Sequence, residues 1–80
     1  MRMGTTAMRT QRRETREKIQ QAFRRLPAKL QVAAILALVE GRPYDEIADA
    51  LGTSVGAVKV RVFRAVRILR QQLSHLGIRP

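Results

Sequence analysis

The run from Tyr44 to Ala65, YDEIADALGTSVGAVKVRVFRA, constrains this chain more than any other stretch of it. Ile47, Ala48, Ala50 and Leu51 share one face of a short helix. Gly52 follows, where a helix ends by entering left-handed backbone that a residue without a Cβ adopts cheaply. Ser54 comes two residues later, placed to accept a backbone N–H and open a second helix. Two helices joined by so short a turn form a helix-turn-helix, whose second helix is suited to the major groove of DNA.

The rest of the chain fits around that motif. Eighty residues allow one small domain, which buries only roughly 60% of its unfolded surface. Residues 1–12 mix Gly, Thr, Met and Arg without periodicity and read as a flexible basic arm or linker. A first helix is predicted from about Arg13 to Arg25, with Ile19, Ala22, Phe23 and Leu26 as its apolar stripe. Pro27 suits the first turn of a second helix, which runs to about Glu40 and stops at Gly41. Pro43 sits just ahead of the third helix. The last helix is predicted from Val55 to about Leu76, and residues 77–80 form a tail. No β-pattern and no internal repeat is present. The expected fold is all-α: a small bundle of about four helices, over residues 13–76, with the helix-turn-helix at its C-terminal end.

Charge narrows the function. Lysine plus arginine number 16 against six acids, a net charge of +10. Only Lys18, Lys29 and Lys59 are lysines, so arginine dominates. Such a surplus points to a polyanion, most simply nucleic acid. The absence of cysteine excludes disulfides, thiol catalysis and cysteine-ligated zinc. The lone histidine, His75, is expected to be a solvated residue in the last turn. No Ser–His–Asp set and no glycine-rich loop after a strand is present, so neither an enzyme nor a cofactor, metal or small-molecule substrate is expected. The longest apolar run, Val32 to Val39, is too short to cross a bilayer. The N-terminus has no apolar segment of a secretory signal, so no membrane partner and a cytoplasmic location are expected.

At about 100° per residue the last helix divides into two stripes. Val55, Val58, Val62, Ala65, Val66, Leu69 and Leu73 form an expected core face. Gly56, Lys59, Val60, Phe63, Arg64 and Arg67 form a second face that mixes cations with apolar groups. Arginine makes bidentate contacts to guanine, and apolar side chains meet the thymine methyl. Gly56 allows close backbone approach, and the helix N-terminus at Ser54 favours a phosphate. Phe63 either joins this face or packs against the first helix, and Arg61, Arg64 and Arg67 either meet DNA or are merely solvated.

These residues together resemble region four of bacterial sigma factors, most closely the extracytoplasmic-function (ECF) group. The resemblance rests on Leu26-Pro27, Gly41, Tyr44-Asp45-Glu46-Ile47-Ala48, Ser54 to Arg61 and Arg64-Ala65, and covers about Phe23 to Leu73. It implies binding of the promoter −35 element by the last helix and docking on the β flap of RNA polymerase, in the bacterial nucleoid. Lys59, Val60, Phe63 and Arg64 match the family's base- and backbone-contacting positions, and Tyr44 and Ser54 match helix N-termini near phosphates. Three residues depart from the family pattern: Ala57 replaces threonine, Val60 a serine or other polar residue, and Val66 an arginine. They imply a different −35 sequence or weaker DNA reading. Region two, which melts the −10 element in that family, has no counterpart here. The chain is therefore expected to be an excised domain, one piece of a split factor or a free-standing regulator.

Two other readings remain open. Val32 to Val39 is apolar all round its helix, so either it is the central core helix or some of Ile35, Leu38 and Val39 meet a partner, such as the polymerase flap or an anti-sigma factor. Ile68 hints at the same outward apolar surface. A protein-interaction module that reads DNA poorly is thus the main alternative. A LuxR-type response-regulator DNA domain shares the Glu-Ile-Ala and Val-Lys positions, but Leu26-Pro27 and Arg64-Ala65 argue against it.

Overall fold

The computed structural model describes the backbone of residues 2–75 and 77, and side-chain surroundings for residues 12–75 and 77. Four helices follow one another: α1 (Arg2–Arg24), α2 (Ala28–Ala34), α3 (Tyr44–Leu51) and α4 (Val55–His75). No strand occurs among the described residues. The all-helical expectation holds, and no described helix is long and apolar enough to cross a membrane. Helix α4 starts at Val55 as expected, while its predicted end near Leu76 and tail residues 78–80 lie outside the described residues.

One boundary and one helix geometry differ from the sequence reading. Helix α1 starts at Arg2 rather than near Arg13; Met, Arg, Ala and Gln are good helix formers, and only Gly4 interrupts them strongly. The side chains of residues 1–11 lie outside the description, as does the expected role of that stretch as an arm. The second helix has the expected extent but not one geometry. After Ala34 it widens into a π-helical segment, Ile35–Val39. There the Glu40 N–H donates to the Ile35 carbonyl at 3.0 Å, and the Arg42 N–H reaches back to Leu36 at 3.0 Å across Gly41, whose φ is +65°. Hydropathy periodicity cannot register a change of hydrogen-bond spacing confined to one turn.

Proline and glycine punctuate the bundle as their backbone limits require. Pro27 and Pro43 each stand one residue before a helix in extended backbone, with ψ of 146° and 148°. Their carbonyls accept the first helical bonds, from Gln31 at 2.8 Å and Ile47 at 3.0 Å. Pro27 thus precedes the first turn of α2 rather than lying in it.

The core has two parts joined by α4. Ala22, Leu26, Ala34, Ala65 and Leu69 form one cluster, where α1 and α2 meet the C-terminal half of α4, with Phe23, Leu30, Ile68 and Leu73 packed on it. Ala33, Ile47, Ala48, Val58 and Val62 form the other, where α2 and α3 meet the N-terminal half of α4. Ala33, Ala34 and Ala65 are fully buried, and alanine there lets the helices approach closely. Helix α2 is therefore the central helix on one side. The expected core stripe of α4 is correct at Val58, Val62, Ala65 and Leu69, while Val66 and Leu73 are half-buried and Val55 is exposed. Val55 is the first residue of its helix, and its ring of neighbours is incomplete. Ile68 is not outward: it packs against the first cluster.

Candidate nucleic-acid interface

The turn between α3 and α4 places the site. Gly52 has φ +65° and ψ 39°. The Gly52 N–H donates to the Asp49 carbonyl at 3.3 Å and the Thr53 N–H to the Ala48 carbonyl at 2.9 Å, the paired bonds of a Schellman ending. Two residues on, the Ser54 Oγ accepts the Ala57 N–H at 3.1 Å. This cap contributes about 1 kcal/mol to the helix. The turn and the cap together fix the start of α4 against Ile47 and Ala48.

From that start, α4 presents one exposed basic face. Gly56, Lys59, Val60, Phe63, Arg64 and Arg67 are all exposed, as the periodicity requires. Phe63 is 69% exposed and Val60 47%. The choice over Phe63 is thereby resolved: it stands in solvent instead of packing on α1. A shallow hollow of about 410 Å³ beside it is lined by Phe63, Val66, Arg67, Arg70 and Gln71. Arg70 and Gln71 extend the face by a turn, and the periodicity that placed Arg67 would have found them. A Cβ built on Gly56 would meet only Ser54 Oγ, at 3.9 Å, so nothing within the chain requires glycine there.

Other candidates lie elsewhere. Ala57 is half-buried and its N–H is taken by the cap. Tyr44, the first residue of α3, is half-buried against the Ile47–Val58 cluster. Arg61 is half-buried and lines a cleft with Lys29. It lies two residues before Phe63, so at about 100° per residue it points about 160° away from that ring. Arg61 therefore sits at the edge of the exposed face, about 60° from Arg64. At the end of the second helix, Leu38 is 48% exposed and Val39 67%, whereas Ile35 is half-buried. Beside them Arg42 donates from Nε to Glu40 and from Nη1 to Glu46, both at 2.7 Å. Glu40, then Glu46, raise the Arg42 pKa above its usual value. The group is solvent-exposed, so this bridge orders the loop more than it stabilises the fold.

Comparison with known proteins agrees with this geometry. Residues 16–69 match the sequence family described as Sigma-70, region 4. The chain is also similar to the ECF RNA polymerase sigma factor SigE of Mycolicibacterium smegmatis (strain ATCC 700084 / mc(2)155), with 36% identity over 56 residues, covering 70% of this chain and 22% of that protein. The chain thus spans about a fifth of the length of that relative. Region 4 is a DNA-binding module of transcription initiation and not an enzyme. The helix-turn-helix, the capped basic helix and the family match converge on one assignment: the chain belongs to the sigma-70 region 4 family.

Proposed function

We propose that this chain binds double-stranded DNA at a promoter −35 element, with α4 in the major groove, as the region 4 module of an ECF-type sigma factor in the bacterial nucleoid. The observation that carries the reading is the exposed Val60 and Phe63 set among Lys59, Arg64 and Arg67 on one capped helix. A surface that only keeps a protein soluble does not place an aromatic ring in water between cations. Arg64 and Lys59 reach base edges or flanking phosphates, Arg67 follows the backbone, and Val60 and Phe63 meet thymine methyls. Ser54 and the first N–H groups of α4 hold a phosphate. Gly56 admits the DNA backbone at close range.

Docking on the β flap of RNA polymerase is assigned to Leu38 and Val39, with Ile35 behind them. An anti-sigma factor would compete for the same surface. This apolar patch also supports the second reading, a protein-docking module that reads DNA poorly, because Leu38 and Val39 are exposed. Binding of duplexes in which thymine is replaced by deoxyuridine separates the two. Removal of the methyl groups weakens a protein that reads them through Val60 and Phe63, and leaves a generic phosphate binder unaffected.

A further inference from the structure

A second cationic site lies off the reading face. The first turn of α2 and the α3–α4 turn enclose a cleft of about 450 Å³. Lys29 and Arg61 line it, with Ala28, Val32 and Leu51 as apolar wall. Among the described residues no carboxylate lines it. Among the described residues the ion pairs join Arg42 to Glu40 and Glu46, and neither Lys29 nor Arg61 takes part in an ion pair or side-chain hydrogen bond. A half-buried arginine packs its aliphatic stem and leaves its guanidinium for a partner at the rim. Among the described residues Arg61 has no acidic partner.

We infer that the Lys29–Arg61 cleft is a docking site for an acidic segment of a partner protein, one that brings a carboxylate next to an aliphatic side chain. The guanidinium fork matches a carboxylate in bidentate fashion, Lys29 supplies a second charge at the rim, and the wall of Ala28, Val32 and Leu51 takes the aliphatic group. DNA is the poorer occupant. Arg61 points away from Phe63 at the edge of the reading face, and a phosphodiester has no apolar group for that wall. Charge complementarity with a chain of net charge +10 also draws an acidic partner to this surface.

The test is an amide NMR titration of the full chain with acetyl-leucyl-glutamyl-glutamyl amide, and with the glutaminyl counterpart. The expected result is saturable shifts confined to Lys29, Val32, Gly52, Thr53 and Arg61, with the neutral peptide at least about fivefold weaker. Lys29→Met, at an exposed position, should weaken the acidic peptide about threefold or more while leaving duplex DNA affinity within about twofold. Saturating duplex should leave the peptide bound. The inference is overturned if no saturable shift occurs, if shifts spread over all exposed arginines, or if duplex displaces the peptide and so claims the cleft for the DNA footprint.

Discussion

Two exposed apolar surfaces distinguish this molecule, and their surroundings differ. On α4, Val60 and Phe63 stand among Lys59, Arg64 and Arg67 with no acid on the same face. At the end of the second helix, Leu38 and Val39 stand beside Glu40 and the Arg42 bridge, where charge is nearly balanced. The apolar groups alone would not tell the two apart. The charge around them does: a cationic frame suits a polyanion whose bases carry methyl groups, and a balanced frame suits a protein. Both surfaces hang on one scaffold, because the Ile47–Val58 cluster joins α2, α3 and α4.

The largest effect should come from that shared scaffold. Ile47 is fully buried, and Ile47→Ala should cost about 2–5 kcal/mol of stability, read by denaturant unfolding. DNA and polymerase binding should then fall together; loss of one alone would mean that the two surfaces do not share a core. Next comes Arg64→Ala, which should weaken specific duplex binding by about 1–3 kcal/mol. Equal losses on matched and scrambled DNA would make Arg64 a phosphate contact, and polymerase binding should be unchanged in either case. On the other surface, Leu38→Glu combined with Val39→Glu should weaken binding to the isolated polymerase flap about tenfold and spare duplex affinity. A fall in both would merge the two surfaces into one.

The smallest effect is the most diagnostic in sign. Gly56→Ala has room within the chain and replaces a residue that costs a helix about 0.5–1 kcal/mol. Thermal stability should therefore rise slightly, while duplex binding falls if the DNA backbone approaches there. A stabilised variant with unchanged affinity would remove Gly56 from the interface.

Much of this was legible in the sequence because it is periodic or local. The Gly52 turn, the Ser54 cap and the exposed face of α4 follow from residue types at fixed spacing, and the structure places them as expected. What was not legible depends on tertiary packing. Periodicity assigns Val55 to the core, but at the first position of α4 it is 37% exposed. It places Ile68 outward, yet Ile68 packs against the Ala22–Leu69 cluster. Arg61 looks like its neighbours in the string, and only the position of α2 shows that it faces Lys29 across a cleft. The π-helical turn at Ile35–Val39 leaves no trace in hydropathy, although it sets how Leu38 and Val39 meet solvent.

The central claim is that the exposed face of α4 reads a DNA sequence. Selection from a random duplex library, followed by binding of the winner and its scrambled control across a salt series, tests it most directly. The expected result is an enriched motif containing thymine, bound well above its control at every salt concentration, with affinity falling steeply as salt rises. Salt-sensitive binding with no enriched motif would contradict it and leave the charge as a generic attraction for DNA.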